Sequence, residues 1–261
     1  MIIRRLKQLM RSLIETSSFG YRLMLKRDFG ITYPPLGRPD APWANAVLKN
    51  QKQVEVSIEQ VRNLGLPIMK DPPKNWDSLA ALDLILKTTD EKARVFDAGG
   101  ERYSMILPWL FLYGYKNLIA ENLVFRSRAK RGPILYKQGD ITKTAYSDQF
   151  FDVITCLSVI EHGVNLNKYF SEMARILKTG GVLITSADYY ETPIDTKGQK
   201  AYGCPIHIFT KEEIIEALKI AKYYGLNPIS SIDFTSEEKA IHWKEYDLRY
   251  TFIIFSLRKD G

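Results

Sequence analysis

The chain has 261 residues, of which 45% are hydrophobic and 26% are charged, so it is long and apolar enough to bury one large core and is neither collagen-like nor disordered. Its net charge is +7, but residues 1–30 carry seven lysines and arginines against two acidic residues. Because the basic charge is concentrated at one end, we expect no nucleic-acid-binding face across the fold.

The cysteines and the apolar stretches of the sequence indicate in which cellular compartment the protein is expected. Cys156 and Cys204 form no CxxC pair and no Cys/His cluster, so we expect a reducing compartment and no metal. The longest apolar stretch, residues 105–115, contains Pro108 and Gly114 and is shorter than the roughly 18 residues of a membrane span. The first residues lack an uninterrupted apolar run, so we expect no secretion signal and a cytoplasmic protein.

The N-terminal segment predicts a basic amphipathic helix, because apolar residues recur at helical spacing over residues 2–14 with arginines and lysines between them. The apolar face of this helix has to be buried against another surface. The simpler interpretation is docking on its own domain or on a second subunit in a homodimer. The alternative is peripheral contact of residues 1–27 with an anionic membrane surface.

Four prolines exclude a helix from residues 31–45. A helix is predicted over residues 44–64, where Gly65 and Pro67 end it. A second helix is predicted over residues 76–86, after the proline-containing turn DPPK. We therefore divide the chain into an N-terminal basic helical extension or cap, residues 1–75, and a main domain, residues 76–261.

From Arg94 onward, apolar strands alternate with helices. Short apolar runs lie at residues 95–96, 118–120, 134–136, 153–157 and 182–185, and two further strand-like segments, 228–234 and 250–257, follow without a clear helix between them. This order is typical of an α/β fold: a Rossmann-like, seven-stranded, mostly parallel sheet with helices on both faces and an antiparallel C-terminal edge strand.

The first predicted strand ends in a turn suited to a ligand. Asp97 stands at its carboxyl end, and Gly99 and Gly100 precede a helix predicted over residues 104–113. Open parallel sheets bind ligands at this edge, and glycine lets a ligand approach the backbone. Such a turn also occurs simply to reverse the chain.

Two acidic residues follow the next strands. Glu121 ends the second strand, where a carboxylate accepts both hydroxyls of a ribose. Asp140 follows the third strand and can accept from an adenine amino group, while the amide of Ile141 donates to the ring. Each residue, taken alone, is equally consistent with a solvated or turn-forming carboxylate.

The segment from Phe151 to Ser186 carries the most specific pattern. It reads FDVITCLSVIEH, then a predicted helix, then RILKTGGVLITS. This text resembles class I S-adenosylmethionine-dependent methyltransferases, in particular the small-molecule, methyltransferase type 11-like branch. The resemblance covers about residues 93–232 and implies a methyltransferase that uses S-adenosylmethionine.

The resemblance also implies roles for individual residues. It places the methionine and ribose of the cofactor against the first loop, the ribose hydroxyls on the second strand end, the adenine after the third strand, and the remaining side of the cofactor after the fourth. The cofactor-binding residues predicted in this way are Asp97, Ala98, Gly99, Gly100, Glu101, Glu121, Asn122, Asp140, Ile141, Leu157 and Ser158.

The first loop departs from the family pattern. The family has Asp-x-Gly-x-Gly-x-Gly, whereas Glu101 and Tyr103 occupy the second and third glycine positions here. Either the loop takes another path, with the Glu101 carboxylate facing the amino group of the cofactor, or cofactor binding is lost. We favour retained binding, because Glu121 and Asp140 persist together.

Three residues are candidates for proton transfer to or from an acceptor. His207 precedes a helix whose capping box is predicted at Thr210 and Glu213, and it follows residues 191–203, where relatives build a substrate lid. His162 belongs to the EH pair, for which a structural role is favoured. Asp188 ends the fifth predicted strand and points toward the same crevice.

The sequence leads to one favoured function and two alternatives. The favoured function is methylation of an oxygen or nitrogen of a small-molecule or glycan-like acceptor, with no nucleic-acid substrate expected because LSVIEH replaces an Asn/Asp-Pro-Pro-aromatic tetrapeptide. One alternative is a non-catalytic methyltransferase-like scaffold with a degenerate cofactor loop. The other is a nicotinamide-dependent oxidoreductase. This chain lacks the third glycine and the Tyr-x-x-x-Lys pattern that such an enzyme would be expected to have.

Overall fold

The computed structural model describes residues 14–201 and 203–261. The helix predicted over residues 2–14 lies almost entirely outside the described residues and stays a prediction. The helices of the described part are α1 (Ser18–Phe29), α2 (Gln51–Asn63), α3 (Lys74–Thr88), α4 (Ile106–Leu112), α5 (Leu166–Ile176) and α6 (Lys211–Tyr223).

Twelve strands accompany these helices in the described ranges. They are β1 (Ala46–Val47), β2 (Arg94–Ala98), β3 (Asn117–Asn122), β4 (Ala129–Arg131), β5 (Ile134–Gln138), β6 (Phe151–Leu157), β7 (Leu177–Tyr189), β8 (Lys200–Ala201), β9 (Cys204–Pro205), β10 (Leu226–Pro228), β11 (Ile241–Trp243) and β12 (Leu248–Lys259). All five apolar runs predicted as parallel strands lie within β2, β3, β5, β6 and β7, which confirms them.

One large sheet organises the domain. Its strand order is β1-β12-β7-β6-β2-β3-β5-β4, and β10 and β11 also pair with β12. The pairs β7–β6, β6–β2, β2–β3 and β3–β5 are parallel, and β12 runs antiparallel to β7. The carboxyl ends of β2, β3, β5, β6 and β7 therefore meet at one edge, where such sheets bind ligands.

The predicted fold class is confirmed, with two corrections. The sheet has ten strands in the described residues rather than seven, because β1, β4 and β11 add short antiparallel pairings. For the same reason β12 is not an edge strand: β1 and β10 pair with its far side.

Helices cover both faces of the sheet, as the continuous apolar strands predict. On one face, α1 to α4 pack in a core cluster that includes Trp76 and Trp109, both fully buried. On the other face, α5 and α6 pack around Tyr169 and Phe170. The predicted division of the chain between residues 75 and 76 stays a prediction, although α2 and α3 contribute to the same core as β2.

Several element boundaries differ from those predicted. The helix predicted over residues 44–64 begins only at Gln51, because Asn50 caps it by accepting a hydrogen bond from the Gln53 amide (3.1 Å) while residues 46–47 form β1. The strand predicted over 228–234 ends at Pro228. Between the last two predicted strands the structure has a further strand, β11, which forms a hairpin with β12.

Across the described ranges, no helix is both long enough and apolar enough to cross a bilayer. Cys156 and Cys204 are both free thiols.

Candidate functional site

The turn after β2 is closely packed around Asp97. The Asp97 carboxyl is buried, and its Oδ1 accepts a hydrogen bond from Thr155 Oγ1 on β6 (2.8 Å). A Cβ on Gly100 would lie 1.8 Å from Asp97 Oδ2, so only glycine fits beside this carboxyl. Burial raises the pKa of Asp97 to about 7, since a charged carboxylate is disfavoured where water is excluded.

Gly99 completes the turn in a left-handed conformation, with φ +82°, which favours glycine. Its amide donates to the Glu121 carbonyl (2.8 Å), and its carbonyl accepts from the Asn122 side-chain amide (2.6 Å). A Cβ on Gly99 would lie 2.5 Å from Val159 Cγ1. The turn after β2 therefore touches both neighbouring strand ends.

Glu121 at the end of β3 is buried and already paired. Its Oε1 lies 2.6 Å from Lys137 Nζ, and a Cβ on Gly139 would lie 2.1 Å from its Oε2. Burial, and next the Glu121 carboxylate, raise the pKa of the nearby Tyr146 hydroxyl. Glu121 thus stands where a ribose-binding carboxylate is expected, held by a neighbouring lysine.

Asp140 follows β5 at the surface. Its Oδ1 accepts hydrogen bonds from the amide (2.8 Å) and hydroxyl (2.7 Å) of Thr142, so the carboxylate shapes this turn. The neighbouring Ile141 side chain is buried. The two residues lie at the predicted edge of the sheet, and their adenine-binding roles stay predictions.

The altered loop after Gly100 has its own hydrogen bonds. The Glu101 amide donates to Ser104 Oγ (3.1 Å), and the Arg102 carbonyl accepts from Arg131 Nη1 (2.9 Å). The Arg102 guanidinium donates to the Ser127 carbonyl (3.0 Å). The loop is ordered by these contacts rather than by further glycines, and the predicted role of Glu101 stays untested.

The end of β6 is tied to α3 and β7. Ser158, after Leu157, has a left-handed φ of 52°, and its amide donates to the Ser186 carbonyl (3.0 Å) and hydroxyl (3.1 Å). The Ser186 hydroxyl donates to Asp77 Oδ2 (2.7 Å), and Lys74 Nζ donates to Ser158 Oγ. Strained backbone of this kind is found most often at functional sites.

Asp188 and Glu161 form a buried carboxyl pair at the ends of β7 and β6. Burial raises the pKa of Asp188 to about 6, while Lys74 and a hydrogen bond from Tyr250 act in the opposite direction. Burial and the neighbouring Asp188 raise the pKa of Glu161 well above its usual range. The structure therefore places Asp188 at the predicted edge, with Glu161 beside it.

The two candidate histidines have different surroundings. His207 Nε2 lies 3.3 Å from Glu213 Oε1, and its ring packs edge-on against Phe209. It lines an open groove of ≈ 480 Å³ with Ile160 and Pro205. His162 is half-buried, and burial, followed by Lys74, lowers its pKa.

The predicted capping box at the start of α6 is confirmed, since Thr210 Oγ1 accepts from the Glu213 amide (3.3 Å) and Glu213 Oε2 from the Thr210 amide (2.8 Å). Glu213 therefore fixes the helix start and contacts His207 at once. A carboxylate held in this way can orient a histidine for proton transfer.

The sequence patterns do not indicate the residues that α3 and the C-terminal hairpin bring to the site. These residues are Lys74 and Asp77 on α3 and Tyr250 and Phe252 on β12. Glu161, after β6, also belongs to this group, and the sequence indicates it only as part of the FDVITCLSVIEH motif. The available signal was the polar pair Asp77–Ser78 directly before the apolar residues 79–82 of the same helix. Both residues are buried there, and buried polar groups need hydrogen-bond partners, which Asp77 finds in Ser78 and Ser186.

Comparisons with known proteins agree with this geometry. The family model described as a methyltransferase domain matches residues 115–185. A search of curated proteins finds no match.

Three solved structures illustrate the shared fold. An S-adenosylmethionine-dependent methyltransferase from Mesorhizobium loti is 16% identical, with 71% of this chain and 98% of that chain covered and a TM-score of 0.51. A 1,6-didemethyltoxoflavin-N1-methyltransferase from Burkholderia thailandensis, solved with 1,6-didemethyltoxoflavin and S-adenosylhomocysteine, is 15% identical (81% and 87% covered, TM-score 0.53). The cyclase SpnF is 14% identical (72% and 82% covered, TM-score 0.52).

The match to residues 115–185 spans β3, β5, β6 and most of β7, which supply the strand ends described above. The three solved structures share the sheet and its helices with this chain. Because they are only 14–16% identical to it, this similarity shows the fold alone. Residues 115–185 therefore resemble a methyltransferase domain, and the chain shares its fold with these solved methyltransferase structures.

Proposed function

We propose that the protein transfers a methyl group from S-adenosylmethionine to an oxygen or nitrogen of a small-molecule or glycan-like acceptor. The observation that supports this best is the set of carboxylates at neighbouring strand ends: Asp97 and Glu121 stand at the carboxyl ends of β2 and β3, and Asp140 follows β5, in sheet order. A Cβ on Gly100 would lie 1.8 Å from Asp97 Oδ2, so the turn places backbone and no side chain against this carboxyl.

The residues present fit this cofactor. Asp97 is an anionic partner for an ammonium or sulfonium group, Glu121 for ribose hydroxyls and Asp140 for the adenine amino group. When bound, S-adenosylmethionine supplies an electrophilic methyl group. The protein then has to hold an acceptor in line with that group, and such positioning contributes up to about 7–11 kcal/mol.

Proton removal is the second task if the acceptor is a hydroxyl or a protonated amine. We propose His207, oriented by Glu213, as the base for an acceptor in the groove, with Asp188 and His162 as the candidates nearer to the end of β6. A general base usually contributes about 10²- to 10⁴-fold. His207→Gln should therefore slow the reaction and leave cofactor affinity unchanged.

Methyl transfer itself is tested with methyl-tritiated S-adenosylmethionine. The full chain is incubated with a panel of aliphatic amines, amino sugars, neutral sugars and phenols, and S-adenosylhomocysteine release and labelled product are measured. We expect turnover with at least one class, reduced at least about tenfold in Asp97→Asn. Cofactor binding without turnover on any class would contradict the proposal.

Cofactor affinity is expected to rise with pH. Only the charged form of Asp97 attracts a cation, and with a pKa of about 7 this form increases about eightfold between pH 6 and pH 7.5. Titration calorimetry at both pH values should show about this gain for wild-type protein, with proton release on binding. The Asp97→Asn variant should lack the gain, and equal or weaker wild-type binding at pH 7.5 would refute the role of Asp97.

A non-catalytic scaffold remains the second candidate function. It is favoured by the Lys137–Glu121 ion pair (2.6 Å) and by the contact of Val159 with Gly99, both of which occupy space at the crevice. A scaffold would show no cofactor-dependent change in any of the measurements above.

Partners and location are also proposals. Exposed apolar side chains at Ile14, Phe19 and Leu23 lie beside the exposed basic residues Lys26 and Arg27, which supports peripheral contact of residues 1–27 with an anionic membrane or with a second subunit. The two free thiols support a cytoplasmic location. We propose no nucleic-acid substrate, because the basic charge is concentrated at the N-terminus.

A further inference from the structure

Four buried carboxyl groups lie around the ends of β2, β6 and β7. Asp77, Asp97, Glu161 and Asp188 are between 0% and 5% exposed, and we call them the carboxyl cluster. They act on one another, since Asp77 raises the pKa of Asp97 and Asp188 raises that of Glu161. Buried carboxylates need cations or hydrogen-bond donors nearby.

Among the residues that the structure describes, Lys74 is the cation whose charge acts on the carboxyl cluster. It lowers the pKa of Asp77, Glu161 and Asp188. One ammonium group thus acts on three carboxyls, so the carboxyl cluster outnumbers the cation that serves it.

Glu161 supplies an independent indication of a missing partner. Its Oε2 atom is buried and accepts no hydrogen bond from any described residue. Asp188 and Lys74 are the two groups whose charges act on the carboxyl, and the backbone amides of Glu161 and Asp188 also hydrogen-bond to it. Buried polar atoms normally have a partner, so this oxygen indicates a ligand that brings a donor.

The surroundings of Lys74 show what kind of donor fits. Its Nζ lies 4.0 Å from the centre of the Phe252 ring and donates to Ser158 Oγ. An aromatic face combined with carboxylates is the arrangement by which proteins hold alkylammonium groups. Ser158 is also the first residue after β6, at the ligand-binding edge of the sheet.

We propose that the carboxyl cluster recognises the acceptor and that the acceptor is an amine, whose ammonium group is held by Glu161 and Asp188 near the face of Phe252. The ammonium group would give one proton to the Asp188 carboxylate, which frees the nitrogen lone pair for the methyl group that bound S-adenosylmethionine would supply, with S-adenosylhomocysteine as the leaving group. This inference rests on the proposed methyltransferase function and narrows its acceptor class. Lys74 competes for the same place, so an entering amine has to displace its ammonium group.

The test uses n-butylammonium chloride as the probe and 1-butanol as its neutral counterpart, titrated calorimetrically into the full chain at pH 8. Wild-type protein should bind the ammonium probe in the millimolar range, the affinity open to so small a ligand, and should not bind butanol measurably. Lys74→Met should bind the probe at least about tenfold more tightly because the competitor is gone. Glu161→Gln should bind it at least about tenfold more weakly.

Matched controls come from the opposite end of β6, where Lys178 and Asp152 form an ion pair (2.6 Å). Lys178→Met and Asp152→Asn should leave probe affinity unchanged, and melting temperatures verify that all four variants are folded. The wild-type comparison of probe with butanol needs no variant at all.

Equal binding of butanol and butylammonium, unchanged affinity in Glu161→Gln, or weaker binding in folded Lys74→Met would each overturn the inference. S-adenosylmethionine is titrated into the same samples. If it binds while the amine results fail, only the acceptor assignment is wrong. If it does not bind, the proposed function fails separately.

Discussion

Replacing Asp97 with asparagine is expected to raise the free energy of unfolding at pH 8 by as much as ~4 kcal/mol. The folded protein holds the pKa of Asp97 at about 7, against 3.8 for an ordinary aspartate. Keeping this carboxyl charged in the folded state therefore costs stability, and asparagine removes that cost while still accepting from Thr155 Oγ1. Stability gained in this way at the expense of binding is common at functional sites.

The pH dependence gives this prediction its sign. Between about pH 4 and pH 7 the folded chain binds the Asp97 proton more tightly than the unfolded chain, so wild-type stability falls as pH rises through this window. The advantage of Asp97→Asn should thus shrink to below ~1 kcal/mol at pH 4. Urea unfolding of both proteins at pH 4 and pH 8 measures it.

Asp152→Asn is the matched control for this experiment. Asp152 lies at the opposite end of β6, and its carboxylate pairs with Lys178 Nζ (2.6 Å) and accepts from the Arg94 amide (2.8 Å). Its loss should lower stability at pH 8. An Asp97→Asn variant that is also less stable at pH 8 would show that burial of this charge is compensated.

Gly100→Ala is expected to destabilise the fold and to abolish cofactor binding together. The new Cβ would lie 1.8 Å from Asp97 Oδ2, and the φ of Gly100 is not in the left-handed region, so the cost is one of space alone. Overpacking of this severity costs about 3 kcal/mol, which corresponds to a fall in melting temperature of roughly 6–12 °C. Thermal unfolding and calorimetric titration with S-adenosylmethionine measure the two effects.

Gly180→Ala separates this steric effect from backbone strain. Gly180 has a φ of +74°, and a Cβ added there would meet no neighbour within 4 Å, so its substitution costs about 1–2 kcal/mol through conformation. Cofactor binding should stay unchanged in this variant. Wild-type affinity in Gly100→Ala would show that the turn after β2 does not line the cofactor.

The site residues that could be predicted are those that a short local stretch of the sequence identifies. Asp97, Glu121 and Asp140 follow apolar runs, so the parallel-sheet rule alone brings them to a common edge. The same local logic predicts the capping box at Thr210, because its two residues are three positions apart.

The parts that could not be predicted depend on long-range packing. Lys74 and Asp77 come from α3, and they reach Ser158 and Ser186 only because that helix packs against the sheet near the ends of β6 and β7. Phe252 enters because β12 pairs antiparallel with β7, in register with Asp188. No spacing in the sequence encodes these neighbours, and the predicted start of α2 is wrong for a similar reason, since β1 is a strand only through its pairing with β12.

The most direct test of the account is calorimetric titration of the full chain with S-adenosylmethionine and S-adenosylhomocysteine at pH 7.5, in wild-type, Asp97→Asn and Asp152→Asn proteins. We expect saturable binding of both ligands to wild-type protein, unchanged in Asp152→Asn and weakened about 10- to 100-fold in Asp97→Asn, as the loss of a charged hydrogen-bond partner implies. Absence of binding to wild-type protein, or equal affinity in all three proteins, would contradict a cofactor site at the carboxyl end of β2.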